Sequence, residues 1–315
     1  MARMKRLEDH IGLLLGRMSL RAKSLIVTIY GDAILPHGGT AWLGSVIRLV
    51  ESFGLSERIV RTAVFRLSKD DWLSSNQIGR RSYYSLTESG RHRTEAVQCR
   101  AYGPSRRPWD GEWCVITATE LDADKRDGLR RELGWMGFGA VASAVFAHPS
   151  PDHEALRQIL QDLGVGDQVV VMRASSLSST QALRNLVQNC WDLERLATDY
   201  HLFLEHFRPI WRLVENSKNP DPQVCFLIRI LLAHDFRRIV LRDPMLPDEL
   251  LPTDWSGTAS RVLFRNLYRA TLEPSERHLM SMLETAEGPL PEASSHFFER
   301  FGLLPEFELE GRKTA

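Results

Sequence analysis

With 315 residues the chain exceeds the size at which one hydrophobic core keeps growing, so two or three domains are expected. Hydrophobic residues at 43% and charged residues at 25% exclude a disordered, collagenous or membrane-embedded class. The formal net charge of zero hides a split: residues 1–110 hold 18 Lys and Arg against 10 Asp and Glu, the remainder 22 against 30, so a basic head precedes an acidic body.

The opening stretch MARMKRLEDHIGLLLGRM does not read as a secretory signal: Glu8, Asp9 and His10 separate its cations from a brief apolar run, and no small-residue cleavage site follows. It reads as a cytoplasmic tail or short helix. The apolar stretches Ile11–Leu15 and Val224–Leu232 are too short, or broken by Arg229, to span a bilayer. Cys99, Cys114, Cys190 and Cys225 show neither a CxxC pair nor zinc-ligand spacing, and read as reduced thiols.

Residues 24–34 read as a first helix and 42–52 as a second, followed by a tight turn at Gly54. Ser56 stands where an N-cap is needed, and Glu57 complements the positive helix end. At 100° per residue the helix from Glu57 to Lys69 gathers Ile59, Val60, Ala63, Val64 and Leu67 on one face. Opposite lie Arg58, Arg61, Thr62, Arg66 and Lys69, with Phe65 among them. Arginine can take the O6 and N7 edge of guanine with two bonds, while Thr62 and Phe65 suit a thymine methyl. Two strand-like runs within 72–86, joined by a turn bearing Arg80 and Arg81, form a wing able to reach backbone or minor groove. Helix, turn, cationic helix and basic hairpin in that order predict a winged helix-turn-helix over residues 1–102.

The segment 103–108, with two prolines and a glycine, reads as a linker. Residues 103–178 follow as strand (113–119), helix (125–133), strand pair (around 137–147), helix (153–163) and strand (168–173), the βαββαβ order of a ferredoxin-like domain. Residues 179–315 read as helical, with amphipathic runs at 182–214 and 224–240, no strand-like alternation, and a frayed tail at 311–315. The fold class is α+β and multidomain.

The chain resembles the PaaX family, repressors of phenylacetic acid degradation. The resemblance is carried by FGLSERIVRTAVFRLSKDDWL (53–73), GRRSYYSLTESG (79–90), WDGEW (109–113), LGWMGFGAVASAVFAHP (133–149) and HDFRRIVLRDPMLPDELLPTDWSG (234–257). It implies a winged head, a Cas2-like ferredoxin-fold middle and a helical carboxy-terminal domain. It also implies a cytoplasmic repressor, without cofactor, that leaves double-stranded DNA when an aryl-acyl-CoA such as phenylacetyl-CoA binds. A relative sensing a different acyl-CoA ester is the alternative. A homodimer on a near-palindromic operator follows from two-fold symmetry.

A metal-dependent nuclease built on the Cas2-like domain would need a metal-binding aspartate, yet Thr117-Ala118-Thr119 stands where one is expected. Glu120, Asp122 and Asp124 are better placed to complement a helix dipole. His201, Glu205 and His206 lack HExxH spacing, and no nucleophile elbow or phosphate loop is present, so no catalytic residues and no metal site are expected. For the effector, His234, Phe236, Arg237, Arg238, Arg242 and Trp255 combine cations for a phosphate with aromatics for an aryl group. The same arginines could instead pair with Asp235, Asp243 or Asp248 at a domain joint.

Overall fold

The computed structural model describes residues 2–103, 109–215, 217 and 219–302. The expected linker, apart from Gly103, and the expected frayed tail lie outside the described residues. The opening stretch forms helix α1 (Ala2–Arg17), which buries Leu7, Ile11 and Leu14 at the i, i+4, i+7 spacing of one helical face.

Helix α2 (Ala22–Ile29) buries Leu25, Ile26 and Ile29 completely. The helix expected over 24–34 changes character there: the backbone widens into one π-type turn, Tyr30–Ile34, which carries the buried Asp32. A 3-10 turn (Leu35–His37) follows and ends at Gly38, whose φ of +86° a side chain would strain. The helix expected over 42–52 divides into strand β1 (Thr40–Trp42), helix α3 (Leu43–Val50) and a 3-10 turn at Glu51–Phe53.

Helix α4 (Glu57–Lys69) buries Val60, Ala63, Val64 and Leu67. Ile59, expected on that face, is 44% exposed because it lies about 100° around the axis from the centre of the buried stripe. Strands β2 (Leu73–Ile78) and β3 (Arg81–Leu86) form the wing hairpin, and β1 joins its β3 edge with Trp42 opposite Tyr83. The two-residue turn between them starts at Gly79 with φ +60°, where a type II′ turn needs glycine. Helix α5 (Glu88–Tyr102) leaves the wing, its first turn capped by Thr87 Oγ1 accepting from the Gly90 amide at 3.0 Å.

The middle of the chain contains β4 (Glu112–Thr117), α6 (Ala123–Trp135), β5 (Gly139–Ala142), β6 (Val145–His148), α7 (His153–Asp162) and β7 (Val170–Ser175). The strands lie in the order β5-β6-β4-β7 with every pair antiparallel, the ferredoxin-like arrangement. Cys114 and Ile116 alternate onto one face of β4 and share a core with Leu129 and Leu133 of α6, Phe146 of β6 and Leu156 of α7. Asp122 caps α6 by accepting from the Lys125 amide at 2.9 Å, the role its position near a helix start predicts.

Beyond lie α8 (Thr180–Cys190), α9 (Leu193–Val214), α10 (Pro222–Val240), α11 (Ser256–Met282) and α12 (Ser295–Phe298). The expected run 182–214 breaks between α8 and α9. Strands β8 (Glu284–Thr285) and β9 (Gly288–Pro289) form a short hairpin where no strand is expected. Two residues per strand leave no alternation to read.

Two compact units divide these elements. One draws its described residues from Met1–Gly103, Leu202–Arg237 and Ala259–Ala315, the other from Pro104–His201 and Arg238–Thr258. The winged head thus shares its unit with most of α10 and α11.

Candidate nucleic-acid interface

Burial of the apolar stripe of α4 turns its opposite face outward, leaving Arg58, Arg61, Thr62, Phe65, Arg66 and Lys69 exposed. They are not equally free. Arg61 Nη2 pairs with Glu57 Oε1 at 2.7 Å one turn earlier, and Thr62 donates to the Arg58 carbonyl at 2.8 Å. Lys69 Nζ stands 4.8 Å above the ring of Phe65, which is itself 59% exposed. Arg58 and Arg66 make no ion pair among the described residues. Ser56 has the extended backbone of an N-cap, but its hydroxyl accepts no amide. It stays exposed at the start of the helix.

At the wing the two arginines part company. Arg80 occupies the turn and is exposed, with no ion pair among the described residues. Arg81 donates through Nη1 to Glu284 Oε2 at 2.9 Å, and Arg48 Nη2 donates to Glu284 Oε1 at 3.0 Å. Both guanidinium groups flank Trp42, 4.1 Å from the ring centroid for Arg81 and 5.0 Å for Arg48. The turn end of the wing, the last turn of α3 and the β8–β9 hairpin are therefore joined by one carboxylate, and both arginines lie against one indole.

Within the same unit lies a buried polar network centred on Asp32 of the head. Its carboxylate accepts from Arg229 Nε at 2.8 Å, Arg300 Nη1 at 3.0 Å, Tyr268 OH at 3.0 Å and Tyr102 OH at 2.5 Å. Arg229, fully buried, also bonds Glu276, whose other oxygen meets His37 Nε2 at 2.8 Å. Burial alone would raise both carboxyls. The facing cations outweigh it, lowering Asp32 and holding Glu276 at about 2.

Three family descriptions match this chain: PaaX-like protein over residues 21–90, PaaX protein central Cas2-like domain over 106–187, and PaaX-like protein C-terminal domain over 191–281. The Transcriptional repressor PaaX of Escherichia coli (strain K12) is 37% identical over 304 residues, covering 96% of each chain. The chain belongs to the PaaX family. Of the segments that carry the resemblance, 53–73 and 79–90 fall in the first match, 109–113 and 133–149 in the second, and 234–257 in the third. Among solved structures, the Uncharacterized protein Rv0674 from Mycobacterium tuberculosis has a TM-score of 0.55 at 24% identity. It covers 83% of this chain and 99% of its own, a likeness of fold.

The residues singled out for an effector of the PaaX type are divided between the two units. His234, Phe236 and Arg237 lie in the unit that holds the head; Arg238, Arg242 and Trp255 lie in the other. His234 Nδ1 donates to Thr28 Oγ1 at 3.0 Å, since that hydroxyl gives its own proton to the Ser24 carbonyl. Phe236 is fully buried and stacks on Phe264 with centroids 4.2 Å apart. Arg237 is half-buried, and that burial pushes its pKa down. Arg238 is exposed, and its carbonyl accepts from Arg242 Nε at 3.3 Å. Arg242 pairs with Asp199 at 3.0 Å, and Trp255 packs edge-on against Tyr200.

Sequence reasoning missed Trp42, Arg48 and Glu284 beside the PaaX wing. A half-buried tryptophan at a strand end and a glutamate 203 residues from its arginine carry no short-range signal.

Proposed function

We propose that this chain is a DNA-binding transcriptional repressor of an aromatic, phenylacetate-type catabolic operon, released from its operator by an aryl-acyl-CoA such as phenylacetyl-CoA. The observation that carries the DNA-binding part is the outward face of α4, with Arg58 and Arg66 free of ion pairs among the described residues, beside a wing tipped by Arg80. Arg58, Arg61, Thr62, Phe65, Arg66 and Lys69 would enter the major groove, Ser56 would approach a phosphate at the helix start, and Arg80 would reach the adjacent backbone. The repressor role is supported by the E. coli relative, and the phenylacetate connection rests on family membership.

In this reading the protein works in the cytoplasm as a homodimer that places two heads on a near-palindromic site. The effector favours a geometry in which those heads no longer match the half-sites. Linkage then requires DNA to weaken effector binding by the same factor, typically about 5- to 150-fold. No chemical step on the DNA is involved.

The deciding experiment selects bound fragments from genomic DNA, then titrates phenylacetyl-CoA against the best fragment by fluorescence anisotropy at physiological salt. A near-palindromic site bound about 1,000-fold or more above random DNA, and released by the thioester, is the expected result. Binding without sequence preference, or a complex indifferent to every aryl- and acyl-CoA tried, would overturn it.

A further inference from the structure

A cavity of about 280 Å³ lies inside the unit that carries the winged head. Three segments wall it: the 3-10 turn at Leu35 and Pro36, the side of α5 bearing Arg91, Gln98, Cys99 and Tyr102, and the stretch from Ser294 to Arg300 with Phe297. Aromatic and aliphatic side chains share the lining with the exposed Arg91 and with the carboxylates of Glu95 and Glu299, while Gln98 donates to the Gly31 carbonyl at 2.7 Å. Small-molecule sites are built this way: an apolar slot with a few convergent polar groups.

We propose that this cavity seats the acyl end of the effector, an aromatic ring carried on a carbonyl, with the rest of a coenzyme A thioester extending past Arg91. The inference rests on the effector reading above and gives it a place. Ring stacking on Phe297 and Tyr102 suits an aryl group. At about 280 Å³ the slot matches the acyl arm and not a whole coenzyme A. On the far side of Gln98 and Tyr102, a smaller recess contains Arg237. Asp32 lines the same recess, which connects the wall shared by Gln98 and Tyr102 to the buried polar network.

The position also explains how a ligand would reach the DNA-binding face. Tyr102 and Arg300 are walls of the cavity and donors to Asp32. Asp32 belongs to the π-type turn that continues α2, and Lys23 of α2 is ion-paired to Asp70 at the end of α4. A ligand that draws Tyr102 or Arg300 away from Asp32 acts on the element against which α4 packs.

Cys99 offers a direct test because it is an exposed thiol in the cavity wall, whereas Cys114 and Cys225 are buried. The full-length protein is alkylated with N-ethylmaleimide with and without phenylacetyl-CoA, site by site by mass spectrometry, and the thioester's Kd is measured by calorimetry. At thioester about 100 times Kd, Cys99 should label about 100-fold more slowly, because only the unliganded fraction reacts. Cys99→Trp should weaken the thioester at least tenfold, whereas Ala96→Trp, on α5 but outside the lining, should not. Thioester binding that leaves Cys99 labelling unchanged and survives Cys99→Trp would remove the cavity assignment alone. If the wild-type protein binds no thioester, the effector reading falls and takes the assignment with it.

Discussion

Arg61 and Arg66 share the exposed face of α4, but a DNA contact costs them different amounts. Arg61 must first leave Glu57, an exposed i,i+4 pair of the kind that contributes about 0.3–0.5 kcal/mol. Arg66 is already unpaired among the described residues. Arg66→Ala is therefore expected to lose about 1–3 kcal/mol on the selected operator and little on random DNA, if Arg66 reads a base. Equal losses on both sequences would make it a phosphate contact. The wing arginines separate more sharply. Arg80→Ala should reduce the slope of log K against log salt by about one unit. Arg81→Ala should leave that slope nearly unchanged, because Arg81 is held by Glu284 and Trp42. A slope that fell equally for both would mean Arg81 exchanges Glu284 for a phosphate on binding. Helical periodicity made the face of α4 legible in the sequence. It could not tell Arg80 from Arg81, because the difference is a partner 203 residues away.

Among elements, α10 shows how a helix legible from its pattern can hide its central residue. Arg229 interrupts an apolar run, and in the sequence its only message is that the run cannot cross a membrane. In the structure it is fully buried and bridges Asp32 and Glu276, with Arg300 as the second cation on Asp32. Replacing it by methionine preserves length but leaves two carboxylates buried, and should cost about 3–5 kcal/mol in denaturant unfolding. The network also sets an acid limit. Glu276 titrates at about 2 when folded against an ordinary value of 4.5, and Asp32 is displaced in the same direction. Their stabilising effect is complete above the ordinary carboxylate range and is lost as pH falls toward the folded values. Unfolding free energy should therefore decline between about pH 4.5 and 2, and less steeply in Glu276→Gln measured from its own lower starting point. Parallel declines in both proteins would show that other carboxylates dominate acid unfolding.

For the whole molecule, the decisive relation is between the winged head and the end of the chain. The sequence marks a boundary near Gly103, and the motifs that suggest DNA binding all precede it. Yet the compact unit containing the head also contains Leu202–Arg237 and Ala259 onward. The reason is polar as much as apolar: Asp32, at 4% exposure, sits in the head but takes both its cations, Arg229 and Arg300, from beyond residue 200. His37 likewise finds both ring partners, Glu276 and the Pro291 carbonyl, there. A buried carboxylate deprived of its cations costs several kcal/mol, a large share of the roughly 5–15 kcal/mol by which a domain is stable. A fragment ending at Gly103 should thus bind the selected operator far more weakly than the full chain and unfold without a sharp transition. In the same fragment Asp32→Asn, which removes the unpaired charge, should restore part of the cooperativity. The same substitution in the full chain should destabilise, because Arg229 and Arg300 lose their acceptor. If the unsubstituted fragment unfolds as cooperatively as the full chain, the head would be self-sufficient and the Asp32 network would serve the carboxy-terminal helices alone.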